Sequence, residues 1–284
     1  MVRQVVLTPK RAFRVPVEAE KVSPDVFAGL SLDDIRKLKV YEGNRECELG
    51  DLFEVREEGS GEEVTIVLEG NLSKDSRVGE GMSTGEIVVN GDIGSFAGYK
   101  MRGSKITVKG NAGSWLGAQM AGGTIEVFGN AGDHIGAALR GLRRGKGMSK
   151  GMIIVHGNAG AEVGAGMVKG TIIIEGSCAV FPGYGMMGGT ILIKGDCAGK
   201  AGAHMSGGRI VVCGYLPEVL PSFYIDSVVP TVKVKKMKLE GPFYLFLGDA
   251  LEDPKCGGRL FVHAGKNPHL GEFGKLVEEV KEVD

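Results

Sequence analysis

From residue 66 to residue 212 the apolar positions of this chain fall in pairs two residues apart, and each pair is followed two residues later by glycine. The pairs are Ile66/Leu68, Ile87/Val89, Ile106/Val108, Ile125/Val127, Ile153/Val155, Ile172/Ile174, Ile191/Ile193 and Ile210/Val212. Alternate side chains of an extended strand share a face, so each pair predicts the inner side of one short strand. The anchoring glycines, Gly70, Gly91, Gly110, Gly129, Gly157, Gly176, Gly195 and Gly214, are separated by 21, 19, 19, 28, 19, 19 and 19 residues. A fixed period of this length marks a repeat architecture, in which each unit buries its apolar face only by stacking on its neighbours. The 28-residue interval is the same unit with nine residues inserted.

Further columns recur within the unit. Two residues after the anchor stand Leu72, Ile93, Ala112, Ala131, Ala159, Cys178 and Cys197, mostly small, as a tight corner requires. Seven after it come Gly98, Gly117, Gly136, Gly164, Gly183 and Gly202, where positive φ or close approach is expected. Ten after it come Met101, Met120, Leu139, Met167, Met186 and Met205, a soft stripe suited to irregular space. Nineteen residues with three short strands and glycine corners predict one coil of a single-stranded parallel β-helix. The expected fold is all-β, a solenoid of about eight coils over 61–214, roughly 35–40 Å long.

The flanks do not repeat. Residues 1–60 carry strand-like VVLTP and FRVPV and a capping-box start, Ser31 with Asp34, to a short helix. They predict an N-terminal cap over the open edge of the first coil. Residues 215–284 alternate extended stretches (TVKVKKMKL, GPFYLFLGDAL, GRLFVHAG) with an amphipathic EFGKLVEEVKEV, predicting an extension that runs along the rod or caps its far end. The outward position three before each anchor changes from Val67, Val88, Thr107 and Glu126 to Ile154, Ile173, Leu192 and Val211. The last four predict an aliphatic ridge covered either by the chain's own C-terminal strands or by a partner subunit.

Charge narrows the function classes. Lys plus Arg number 34 against 35 Asp plus Glu, so no global field argues for nucleic acid or an anionic membrane. The first twenty residues lack a signal peptide's apolar core and no uncharged run reaches spanning length, which points to a cytoplasmic protein. The 48 glycines include GNAG clusters after Val-rich strands, the composition of a phosphate cradle. A phosphate loop occurs once, before a helix; this motif recurs in every repeat and leads into another strand, so corner turning explains it.

A catalytic or metal set does not assemble from the pattern. His134, His156 and His204 occupy different registers, His263 and His269 lie outside the repeat, and the five cysteines form no CxxC pair. Cys178 and Cys197 stack one unit apart but replace alanine in an inward column, which reads as packing. The insertion, within ALRGLRRGKGMSKG, is the candidate contact site: Arg140, Arg143, Arg144, Lys146 and Lys150 among glycines suit an anionic ligand or a partner surface.

The run SPDVFAGLSLDDIRKLKVYEGNRECELGDLFEV, the units reading GTIxVxGNAGxxxGAxMxGG and the insertion GLRRGKGMSKG together resemble the C subunit of formylmethanofuran dehydrogenase over essentially the whole chain. The repeat alone is similar to the C-terminal domain of the glutamate synthase large subunit. The resemblance implies a right-handed β-helix in a multi-subunit archaeal oxidoreductase that reduces CO2 and formylates methanofuran, the first step of methanogenesis. It also implies molybdenum- or tungsten-pterin and amidohydrolase-like subunits as partners, iron–sulfur clusters and an amidohydrolase metal site elsewhere in the complex, and methanofuran as a ligand of the assembly. For this chain it implies a non-catalytic scaffold whose contact surfaces are the basic loop, the N-terminal cap and the ridge Ile154, Ile173, Leu192 and Val211. The alternatives are a separate glutamate-synthase-like domain serving glutamine-dependent amination, the C subunit of a formyltransferase/hydrolase complex, and a free-standing β-helical enzyme.

Overall fold

Ile66, Ile87, Ile106, Ile125, Ile153, Ile172, Ile191 and Ile210 lie opposite one another in successive parallel pairings. All eight are at most 1% exposed. The computed structural model describes residues 2–141 and 145–283. Its strands in the repeating region are β6 (Glu63–Glu69), β8 (Glu86–Asn90), β9 (Lys105–Val108), β10 (Ala121–Val127), β11 (Lys150–Val155), β12 (Thr171–Ile174), β13 (Thr190–Ile193) and β14 (Arg209–Val212). Each pairs in parallel with the next in chain order, so isoleucine stacks on isoleucine and the second apolar column does likewise. Burying one such side chain is worth roughly 2 kcal/mol, which makes the two columns the main internal source of cohesion.

The small-residue column forms a second ladder of single bridges, Leu72, Ile93, Ala112, Ala131, Ala159, Cys178 and Cys197 in sequence. Each repeat therefore carries one strand and one isolated bridge where three strands were expected. The third segment does not extend because it is a corner: Phe96, Trp115 and their equivalents take φ near +60° there. Gly98 and Gly117 follow at φ +66° and +59°, and a Cβ on them would lie 2.5 and 2.6 Å from Ile125 and Ile153 Cδ1. Glycine is required at this corner both by φ and by the isoleucine ladder it faces.

The methionine stripe holds with one correction. Met101, Met120, Met167, Met186 and Met205 are fully buried, but Leu139 is not in the column; Met148 takes its place at 0% exposure. Met148 N–H donates to Gly136 O at 2.8 Å, as Met120 N–H does to Gly117 O. The insertion thus leaves the stack before the methionine position, and counting forward from Gly129 misplaces it.

Both flanks extend the same sheet. In the N-terminal region lie β1 (Val2–Pro9), β2 (Val17–Glu18), α1 (Pro24–Phe27), α2 (Leu32–Arg36), β3 (Lys39–Glu42), β4 (Arg45–Glu48), α3 (Leu49–Leu52) and β5 (Phe53–Glu58). Strand β1 runs parallel to β6 with Val5 opposite Ile66, and β5 closes that edge antiparallel to β1. Helix α2 starts at the expected capping box, Ser31 Oγ accepting from Asp34 N–H at 3.2 Å. Strands β2, β3 and β4 form a separate small sheet with β7 (Asp75–Ser76).

At the other end β15 (Tyr224–Val234), β16 (Met237–Gly248) and β17 (Gly258–His263) precede α4 (Gly271–Val283). Strand β17 is parallel to β14, placing Leu260 beside Ile210, and the hairpin β15–β16 pairs on antiparallel to give a mixed sheet of thirteen strands. The molecule is mostly β. Among the described residues no helix is long and apolar enough to cross a membrane.

The hairpin decides the fate of the predicted ridge. Ile173, Leu192 and Val211 are buried with Val232, Val234 and Phe243, and half-buried Ile154 packs against the same cluster. As an open interface to another subunit, Ile154, Ile173, Leu192 and Val211 is therefore corrected: long, apolar β15 and β16 fold over it within the same chain.

Candidate functional site

The corner of each repeat presents a residue in left-handed conformation, and none of these is glycine: Arg77, Phe96, Trp115, His134, Glu162, Phe181 and Lys200 have φ between +56° and +65°. From Arg77 to Phe181 the N–H of each bonds one repeat onward, as in Trp115 N–H to Asp133 O at 2.7 Å. Left-handed φ on bulky residues carries a backbone cost that the ladder bonds offset. The side chains consequently stack along the molecule. Phe96 and Trp115 are 5.7 Å apart and within 2° of parallel, and Trp115 meets His134 at 4.1 Å. The Arg77 guanidinium caps the stripe 5.8 Å from the Phe96 ring.

This stripe leads into a cleft of about 390 Å³ lined by Arg140, Glu162, Tyr184 and His204 with intervening Ala and Gly. Arg140 Nη2 donates to Glu162 Oε1 at 3.1 Å while its side chain stays 75% exposed, leaving guanidinium donors open to solvent. His134 Nδ1 lies 3.4 Å from Glu162 Oε2 without a hydrogen bond. His204 Nδ1 pairs with Glu252, its N–H donates to Asp249 Oδ2 at 2.9 Å, and its ring meets Tyr184 edge-on at 5.3 Å. The cleft mixes charge with the exposed rings of Tyr184 and His204, which suits contact with a polar, partly aromatic surface or a small anion.

The insertion residues do not converge. Arg140 enters the cleft, whereas Lys150 begins β11 and lines a different groove. Lys146 contributes its carbonyl, accepting from Gln119 Nε2 at 3.0 Å. Arg143 and Arg144 lie outside the described residues. The three histidines of the repeat go to separate places, as their registers implied. His156 bridges Glu175 Oε2 (2.8 Å) and Glu126 Oε1 (3.1 Å), and those hydrogen bonds raise its pKa, Glu175 first. The corner stripe was missed in the sequence because its members share a register but no residue type. A column count at five after the anchor would have found Phe96, Trp115 and His134 together.

Burial and hydrogen bonding together set the thiols. Cys213 is pushed up to about 11 by desolvation. The stacked Cys178 and Cys197 are free thiols that interact with each other, and Cys178 is driven upward first by its hydrogen bond with Cys197 and then by burial.

No family model matches the chain. It is 47% identical over 89 residues to the C subunit of molybdenum-containing formylmethanofuran dehydrogenase 1 from Methanothermobacter marburgensis, a stretch covering 31% of this chain and 22% of that protein. It is 43% identical over 97 residues to the C subunit of tungsten-containing formylmethanofuran dehydrogenase 2 from Methanothermobacter thermautotrophicus, covering 34% and 36%. Over about a third of its length the chain is thus similar to formylmethanofuran dehydrogenase C subunits. The sequence likeness is narrower than the whole-chain resemblance expected. Likeness in fold reaches further: 91% of this chain overlays 99% of a chain in the formyltransferase/hydrolase complex (FhcABCD) of Methylorubrum extorquens, crystallised with methylofuran, at TM-score 0.79 and 28% identity.

Proposed function

We propose that this chain is a non-catalytic scaffold subunit of a formylmethanofuran dehydrogenase, docking the catalytic subunits of a cytoplasmic assembly that reduces CO2 and formylates methanofuran. On this reading the repeats over 61–214 wind as a right-handed parallel β-helix, with 1–60 as a cap and 215–284 packed along it. The observation that carries the proposal is the 43–47% identity to two formylmethanofuran dehydrogenase C subunits over about a third of the chain.

The donors present do not fit a metal-pterin, an iron–sulfur cluster or an amidohydrolase metal. Cys178 and Cys197 are buried in the small-residue column, and His134, His156 and His204 are engaged separately. Among the described residues no group of three His, Cys, Asp or Glu gathers as ligands. Those groups belong to partner subunits on this reading. With the Ile173 ridge covered from within, the docking edge is the one beside the insertion, where Tyr184, 42% exposed, shares the cleft with Arg140 and Met187, 47% exposed, lies against Gly145.

Affinity purification of the tagged chain from its host tests this. Recovery with subunits carrying molybdenum or tungsten is expected, along with no turnover by the chain alone; a lone homo-oligomer overturns the proposal. The Methylorubrum overlay favours a second reading, the C subunit of a formyltransferase/hydrolase complex. An assembly free of both metals that transfers and hydrolyses formyl groups selects it.

A further inference from the structure

A second surface runs along the entry to the strands, away from the corner stripe. Thr171, Thr190, Arg209 and Arg259 follow one another in register across β12, β13, β14 and β17. Lys150 and Lys169 stand beside them, and Lys235 reaches in from the turn between β15 and β16, enclosing a groove of about 510 Å³. Arg209 and Arg259 continue it into an adjoining hollow of about 250 Å³. Among the described residues no carboxylate lines either space. Among those residues, too, none of the five cations makes an ion pair, although Lys105, Lys194 and Lys200 elsewhere on the repeats each have a glutamate within 4 Å.

Like charges are also held side by side. Arg209 and Arg259 are register neighbours. Such juxtapositions destabilise a sheet unless a counter-charge is present. Arg209 is half-buried, its pKa lowered by that burial and then by Arg259. Its Nε donates to Thr190 Oγ1 at 3.0 Å, which orients the guanidinium and leaves its terminal N–H groups open.

The shape selects among anions. From β11 to β17 there are four inter-strand steps, roughly 19 Å at strand spacing. The cations are strung along that length and do not converge on one phosphate-sized point. Among the described residues no aromatic side chain lines the groove, so bases have nothing to stack on. An extended peptide of six residues spans about 20 Å.

We propose that this groove binds an extended acidic peptide chain, with its carboxylates seated along Lys150, Lys169, Arg209, Lys235 and Arg259. The inference stands on the groove's own chemistry and does not need the scaffold reading.

The test is fluorescence anisotropy of the full chain with fluorescein-labelled hexaglutamate at low ionic strength, with unlabelled hexaglutamate, hexaglutamine, tripolyphosphate and decathymidylate as competitors. Saturable binding that weakens with salt is expected, displaced by hexaglutamate and not by hexaglutamine. Lys169→Glu and Lys235→Glu, on separate elements, each weaken it about tenfold or more, Lys169→Gln weakens it less, and Lys74→Glu in the first repeat leaves it unchanged. Unchanged melting temperatures show that the variants fold. No saturable binding, equal loss in Lys74→Glu, or tighter displacement by tripolyphosphate or decathymidylate than by hexaglutamate overturns the proposal.

Discussion

Asn130 donates its backbone N–H to Asn111 Oδ1 at 2.8 Å, one repeat earlier. The same bond recurs just after the anchoring glycines from Gly110 onward: Asn111 N–H to Asp92 Oδ1 (2.7 Å), Asn158 N–H to Asn130 Oδ1 (2.8 Å) and Ser177 N–H to Asn158 Oδ1 (2.8 Å). It continues through Asp196 N–H to Ser177 Oγ and Tyr215 N–H to Asp196 Oδ1. Where the strand ladder stops, side-chain oxygens take over the pairing of backbone donors. Asn130→Ala should therefore cost about 1 kcal/mol in urea unfolding, whereas Asn130→Asp, which keeps the acceptor, should cost clearly less.

Gly117 faces Ile153 Cδ1 at 2.6 Å from an added Cβ and sits at φ +59°. Gly117→Ala should lose about 1–3 kcal/mol, combining backbone strain with crowding of a flexible terminal methyl. Adding Ile153→Val should recover the crowding part, so a double-mutant cycle gives a favourable coupling. Gly141→Ala, at φ +81° with open space around it, should show the backbone cost alone.

Asp75 is 1% exposed, its Oδ1 has no hydrogen-bond partner, and desolvation raises its pKa to about 8. Because the folded value exceeds the unfolded one near 3.9, the folded state holds the proton more tightly. Stability should be greatest below about pH 4 and fall as pH rises toward about 8, through this group's share of the pH dependence. Asp75→Asn should flatten that share and stabilise the chain at pH 7 by about 2–4 kcal/mol, read from urea unfolding as a function of pH.

Asn267 is fully buried and joins the last repeat to the C-terminal region. Its Nδ2 donates to Gly214 O (2.9 Å) and His263 O (2.8 Å), and its Oδ1 accepts from Leu216 N–H (2.8 Å). Asn267→Leu strips a partner from three backbone groups, two of them in buried residues, and should cost about 2–5 kcal/mol. Hydrogen exchange should show faster opening at Leu216 than at Ile106, because the damage is local to that end.

The repeating interior was legible because its signal is periodic. A column such as Ile66 to Ile210 depends only on strand alternation and on stacking at one interval, and both are written in the spacing of the residues. The Met148 correction shows the limit of counting: an insertion can be located only when one knows which side of it keeps the ladder. The polar ladder through Asn111 and Asn130 is equally periodic, but asparagine beside glycine reads as a turn residue and so hides it.

The sequence by itself determined the repeat, its inner columns, its glycine corners and the family likeness, since each of these is a local or strictly periodic property. Tertiary structure alone decided what covers Ile173, Leu192 and Val211, where Arg140 and Lys150 part company, and that Lys235 joins Lys169 and Arg209 around one groove. Those outcomes depend on where a long hairpin from outside the repeat comes to rest. That resting place is set by apolar area matched across distant residues, and no spacing along the chain encodes it.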